Sequence, residues 1–151
     1  MVAVTLAASA RITGVETLDG SGVGIRGTFA ADTLDFSKLA LINVASLSGL
    51  GGADTLAGGT GNDTLTGDGG NDTFVFHFGD VTGNDRITDF DAVGNDVIRL
   101  DGYASSVPLS DAISYDALGA LIDLADLGGH GTIRLAGVTS LTLGAEDFTF
   151  T

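Results

Sequence analysis

Asp54, Asp63 and Asp72 recur every nine residues, each preceded by glycines and each followed two places on by an apolar residue, Leu56, Leu65 or Phe74. Carboxylates held in phase with glycine could do two kinds of chemistry. Paired across a cleft they act as acid and base on a glycosidic bond. Set in tight turns beside main-chain carbonyls, they supply the hard oxygens that calcium takes, about six to eight at about 2.3–2.6 Å. The glycine phase accounts for these aspartates as cation ligands and leaves none over for acid–base work. Other chemistries lack their residues. The chain has no cysteine, which excludes disulfides, zinc thiolates and thiol catalysis, and it holds neither H-E-x-x-H nor G-x-S-x-G. His77 between Phe76 and Phe78 and His130 in a glycine turn are far apart in the chain, and both read as structural.

Three nonapeptides frame the aspartates: Gly49-Leu50-Gly51-Gly52-Ala53-Asp54-Thr55-Leu56-Ala57, Gly58-Gly59-Thr60-Gly61-Asn62-Asp63-Thr64-Leu65-Thr66 and Gly67-Asp68-Gly69-Gly70-Asn71-Asp72-Thr73-Phe74-Val75. The second matches G-G-x-G-x-D-x-U-x throughout. In each, six residues make a glycine-permitted turn and three make a short strand whose middle side chain points inward. Two nonapeptides complete one coil, so Asp54 stacks on Asp72 along one edge while Asp63 lies on the opposite edge. Stacked carboxylates about 5 Å apart repel by roughly 3 kcal/mol at an effective dielectric near 20. One inward side chain per repeat, at roughly 1.5–3 kcal/mol, does not offset ordering nine residues at about 1–2 kcal/mol each. Metal binding must therefore contribute folding energy. A flexible glycine-rich linker has the composition but no reason to keep the phase. The candidate metal-binding residues are Gly49, Gly51, Gly52 and Asp54; Gly58, Gly59, Thr60, Gly61 and Asp63; and Gly67, Gly69, Gly70 and Asp72, with Ca2+ as the ion.

These repeats resemble the RTX (repeats-in-toxin) family. The resemblance implies an all-β fold, a right-handed parallel β-roll or β-helix of short strands capped by C-terminal strands. It also implies that Asp89 and Asp96, seven residues apart, close the last calcium site. RTX segments accompany secreted proteases, lipases, epimerases and adhesins, and their exporters read C-terminal signals similar to Glu146-Asp147-Phe148-Thr149-Phe150-Thr151. The partner so implied is a type I secretion exporter.

The flanks must hold this roll. The length suits one structural domain, divided into residues 1–48, β-helical coils leading in; 49–100, the roll with its closing segment; and 101–151, the C-terminal cap with its signal. Ile12–Gly20 aligns with Leu41–Gly49 at an offset of 29, suggesting wide coils. Gly27-Thr28-Phe29-Ala30-Ala31-Asp32-Thr33-Leu34-Asp35 keeps the Asp-Thr-Leu signature, but Phe29 and the alanines replace residues that permit positive φ, so Asp32 reads as structural. Residues 110–127 carry both helical and alternating spacing, and Gly119 with the family precedent favours strands. Thr132–Val138 and Leu141–Leu143 read as further short strands covering the open edge.

Twenty acidic residues against six basic ones, net −14, repel nucleic acid and anionic membranes. No run is long enough to insert in a membrane, and the N-terminal Met1–Ala10 lacks the basic region of a signal peptide. The sequence thus points to a non-catalytic calcium-binding module that folds outside the cell, secreted or at the cell surface, and supports secretion and folding of a larger protein. The alternative is a calcium-dependent polysaccharide-binding or adhesin module attached to a secreted enzyme.

Overall fold

The computed structural model describes residues 4–5, 17–19, 22–42, 44–78, 83–91, 95–104, 106–139 and 143–151. Among them the regular structure is strand, with two short 3-10 turns at Leu109–Ala112 and Ala145–Asp147. The leading strands are β1 (Val4–Thr5), β2 (Thr17–Asp19), β3 (Ile25–Arg26), β4 (Thr33–Asp35) and β5 (Ala40–Ile42). The roll follows with β6 (Leu47–Gly51), β7 (Thr55–Ala57), β8 (Thr64–Gly69), β9 (Thr73–His77), β10 (Asn84–Ile87) and β11 (Val97–Asp101). The cap holds β12 (Ile113–Asp116), β13 (Gly119–Asp123), β14 (Thr132–Ala136) and β15 (Phe148–Phe150).

From β6 to β11 consecutive strands alternate between two sheets, so the chain winds as a solenoid. One sheet runs β1-β3-β6-β8-β10-β14-β13-β12 and the other β4-β7-β9-β11-β15, while β2 and β5 pair separately. The ladders are parallel except for the hairpin β12–β13 and its junction with β14. The result is a parallel β-roll extended by strands at its C-terminal end.

One apolar side chain per short strand fills the space between the sheets, because successive residues of a strand point to opposite faces. Leu34, Leu56, Phe74 and Ile98 stack in register from one sheet; Leu47, Leu65, Ile87 and Leu135 stack from the other. All eight are buried. A register slip of one residue would turn each row toward solvent, so the rows pin the pairing.

The eighteen-residue coil holds only at the centre, where Leu47 faces Leu65 and Leu56 faces Phe74. Elsewhere the coil lengthens: Leu34 pairs Leu56 and Leu65 pairs Ile87 at 22 residues, and Phe74 pairs Ile98 at 24. The extra residues fall between the paired strand positions and leave the inward rows intact. The offset of 29 is therefore not a coil length, and that expectation is corrected: Leu18 pairs with Leu41, 23 residues on, and Leu47 stands in the other ladder opposite Ile25. Inward registry overrides the local likeness, and most of the first aligned segment lies outside the described residues.

In the cap, residues 110–127 form the end of the first 3-10 turn, the hairpin β12–β13 and a closing turn. Gly119 enters the hairpin at φ 129°, and a Cβ there would meet the Gly137 nitrogen at 2.7 Å; this is why the bend needs glycine. Residues 140–142 lie outside the described residues, so the strand expected at 141–143 has no structural account. β15 joins β11, with Ile98 opposite Phe148.

Candidate calcium sites

The turns of the roll have a repeating backbone. Leu50 and Asp68 take φ 81° and 65° at the second place of their nonapeptides, and Gly52 and Gly70 take φ 111° and 146° at the fourth. A non-glycine residue in the left-handed region costs roughly 1–2 kcal/mol, so Leu50 and Asp68 mark a turn shape imposed by stacking. They lie opposite each other in the ladder, as do Gly51 and Gly69. A Cβ on Gly70 would run into the Gly52 carbonyl, so the stacked turns can approach only through glycine.

This stacking lines the aspartates in columns. Along one edge the Asp32 N–H donates to Asp54 Oδ1 at 2.7 Å, the Asp54 N–H to Asp72 Oδ1 at 2.9 Å and the Asp72 N–H to Asp96 Oδ1 at 2.9 Å. On the opposite edge the Asp63 N–H donates to Asp85 Oδ1 at 2.9 Å. All six side chains are buried. Asp89 accepts from the Gly67 and Asp68 N–H groups, and Asp96 also accepts from that of Asp91. Both therefore lie against the turn of residues 67–72.

Asp54, Asp72, Asp96 and Asp85 each give Oδ1 to this ladder. Oδ2 is buried without a hydrogen-bond partner at Asp54, Asp63 and Asp72, and at Asp32 the unpartnered oxygen is Oδ1. Such atoms cost about 1–3 kcal/mol each, more when charged. Their location is informative: the first glycine of each repeat leaves open a space that the carboxylate faces. A Cβ on Gly58 would lie 2.6 Å from Asp63 Oδ2, and one on Gly49 or Gly67 would run into Asp54 or Asp72 Oδ2. The carbonyl of Gly67, from the next coil, borders the Gly49 space at 3.0 Å.

Among the described residues no three His, Cys, Asp or Glu side chains converge as a metal cage. Any ion must then be held by one or two carboxylates and completed by turn carbonyls. That donor set suits calcium, which tolerates flexible all-oxygen coordination, and not zinc or copper. The residues fit: hard oxygens, orphaned carboxylate atoms, and space kept by glycine. Gly59 and Thr60 sit where their coil meets the one before it, the Thr60 N–H donating to the Leu39 carbonyl at 2.8 Å. Gly61 supplies the positive φ of its turn, 113°.

The column by itself is electrostatically uncomfortable. Burial pushes the Asp72 carboxyl up to about 6, opposed by the Asp54 N–H and aided by the charges of Asp96, Asp54 and Asp89. Burial likewise pushes Asp85 up to about 7, opposed by the Asp63 N–H and aided by the Asp63 charge. Asp54, Asp63 and Asp96 are raised chiefly by burial too. A bound dication would reverse these shifts by favouring the ionised form.

Two column members are not among the candidate metal-binding residues of the sequence: Asp85, and Asp32, which reads there as structural. The common signal is an aspartate two places before an inward residue: Asp32 and Leu34, Asp54 and Leu56, Asp63 and Leu65, Asp72 and Phe74, Asp85 and Ile87, Asp96 and Ile98. His77 is half-buried with Nδ1 3.4 Å from Asp101 Oδ2, and His130 is exposed.

A parallel β-roll whose stacked turns face buried carboxylates inward on glycine-kept spaces defines the class, a calcium-binding solenoid module. Residues 48–82 match the RTX calcium-binding nonapeptide repeat (4 copies). The chain carries RTX repeats, and these bind calcium. No curated protein matches the chain. Among solved structures, the extracellular lipase LipA from Serratia marcescens is similar, with a TM-score of 0.53 and 24% identity over 83% of this chain and 20% of that one. The chain thus spans about a fifth of that lipase's length, and the likeness is one of fold.

Proposed function

We propose that this chain is the calcium-binding module of a larger exported protein, unfolded at the low calcium of the cytosol and folded by calcium outside the cell. The observation that carries this reading is the set of buried, unpartnered carboxylate oxygens at Asp54, Asp63 and Asp72. Each needs a cation to be comfortable when ionised, and the turns supply the remaining oxygens. The ions would be held by Asp54 and Asp72 with the carbonyls of their turns on one edge, by Asp63 with Asp85 on the other, and by Asp96 and Asp89 at the last turn. Calcium here supplies charge neutralisation and cross-links between coils, so its binding energy is folding energy.

We read the module as non-catalytic, its aspartates serving the columns. The acidic pair Glu146 and Asp147 before β15 supports recognition by a type I exporter. Among the described residues no helix is long and apolar enough to cross a membrane. Circular dichroism during a titration from chelator to millimolar calcium, the range of extracellular modules, tests the reading. A gain of β signal is expected; an unchanged spectrum would overturn it.

A further inference from the structure

At the C-terminal end the inward rows run out. Phe148 and Phe150 of β15 continue the rows of Ile98 and Leu100, and Ile113 and Tyr115 of β12 continue those of Ile122 and Ala120. The four residues behind them are fully buried. β12 and β15 are the last strands of their sheets, so Tyr115 and Phe150 are left 42% and 48% exposed. Both line a cleft of about 420 Å³, together with Leu109 and Leu143. That volume is within the range of ligand pockets, about 300–1,000 Å³, and the lining asks for an apolar occupant.

The walls narrow the choice. Leu109 and Ser110 of the first 3-10 turn and Ala145 of the second all border the cleft. A further coil stacked on β12 and β15 would have to share the space with both turns, whereas a single hydrocarbon chain needs only the cleft. The second turn is held in place, because the buried Asp147 carboxylate accepts from the Gly144 N–H at 2.6 Å.

Charge selects the head group. The Glu146 carboxylate lies against Gly144, another lining residue, where a Cβ would meet its Oε1 at 2.5 Å. The Ser110 hydroxyl donates to Asp111 Oδ1 at 3.3 Å. Glu146 and Asp111 are exposed, and none of the described residues lining the cleft is basic. An anionic head would be repelled by these carboxylates and by the net charge of −14, and a cationic head would be attracted by both.

We propose that this cleft binds a free single-chain amphiphile, with its hydrocarbon tail against Tyr115 and Phe150 and a cationic head beside Asp111 and Glu146. The site is separate from the aspartate columns and does not rest on their reading as calcium sites.

Calorimetric titration of the full calcium-loaded chain with hexyl-, octyl- and decylammonium tests the tail. Affinity is expected to rise about four-fold per methylene. Ala145→Trp, which fills the cleft from an exposed position, is expected to abolish saturable binding and to leave the circular dichroism spectrum unchanged. Alkanoates of the same lengths test the head: they are expected to bind at least about five-fold more weakly, and Glu146→Gln to narrow that gap. Absence of saturable ammonium binding, equal binding by a folded Ala145→Trp variant, or equal affinity for alkanoates would overturn the proposal. Should Ala145→Trp fail to fold, the methyl resonances of Ile113 and Leu143 in the parent decide. Octylammonium is expected to move them and to leave those of Leu56 still; if they do not move, the site is refuted.

Discussion

In the turn of residues 67–72, Asp72 is buried beside Asp54, Asp89 and Asp96, and burial with those charges pushes its carboxyl up to about 6. At the end of β11, burial also acts on Asp101, but hydrogen bonds from Thr151 and Arg99 and the charges of Arg99 and His77 outweigh it and hold the carboxyl below the usual range. In the hairpin, the Leu118 N–H and then Arg134 lower Asp116. The roll and the cap share one apolar core, yet they neutralise their acids differently. Asp101 at a strand end and Asp116 in the hairpin face cations of the chain, Arg99 with His77 and Arg134, whereas in the columns aspartate stacks on aspartate. Calcium dependence therefore belongs to the turns and not to the acidic composition as a whole.

The largest expected effect is that of a chelator, read residue by residue by amide hydrogen exchange. A site filled at about 100 times its Kd contributes about 2.7 kcal/mol, so losing two approaches the whole stability of a domain. The Thr73 and Val97 amides, bonded to the Asp54 and Asp72 carbonyls at 2.8 Å, are expected to lose protection at least about 100-fold. Those of Leu124 and Gly137, bonded at 3.0 Å within the cap, are expected to lose less. Equal loss in both would show that the shared core couples the regions into one unit, and would break the comparison at the level of stability.

Asp72→Asn sharpens it further. Asparagine keeps an acceptor for the Asp54 N–H but removes the charge at the middle of the column. Because calcium affinity follows ligand charge, the calcium midpoint for folding is expected to rise about ten-fold or more. In chelator at neutral pH the variant is expected to show more β signal than the parent, since like-charge repulsion is relieved. Both are read by circular dichroism, and a lower midpoint would contradict the column as the calcium locus.

The pH dependence follows with a definite sign. Asp72 and Asp85 have folded-state values of about 6 and about 7, above the ordinary 3.8. A raised value means the folded form holds protons that the unfolded form releases, so its stabilising effect is full below about 4 and disappears as pH rises through 6 to 7. The calcium-free chain should therefore gain β signal on acidification from pH 8 to pH 4. Calcium-loaded protein should respond the other way, losing ions as protons compete between pH 7 and 5. A calcium-free spectrum flat across that range would count against buried, uncompensated carboxylates in the roll.

How much of this was legible in the sequence depended on whether a residue's role was local. Gly52, Gly70 and the inward Leu56, Leu65 and Phe74 follow from turn shape and strand alternation, which nine residues encode. Asp85 and Asp32 were not legible because they join their columns across coils of 22 residues, where the added residues hide the eighteen-residue spacing. The composition of turn 27–32 also argued against it, and its Asp32 is held by Thr28 instead of by positive φ. The cap hairpin was only half legible: Gly119 marked the bend, but pairing of β13 with β14 depends on inward rows set by distant strands.

Asp116→Ala should give the smallest effect and is the sharpest control. Asp116 has the same side chain as the column members and accepts from Arg134 Nη1 at 2.8 Å and from the Leu118 N–H at 2.8 Å. It is, however, exposed, and exposed ion pairs contribute little because water and salt screen them. Arg134 keeps the Gly119 carbonyl as a partner at 3.3 Å and lies opposite Arg86 in the ladder, so the face becomes slightly more cationic without burying an unpaired charge. Its lowered carboxyl means that whatever support it gives is present at neutral pH and is lost only as pH falls below about 4. The calcium midpoint of the variant is thus expected to stay within about two-fold of the parent's in the titration that moves Asp72→Asn. A shift as large as that of Asp72→Asn would mean that overall negative charge, and not the buried columns, governs calcium-driven folding.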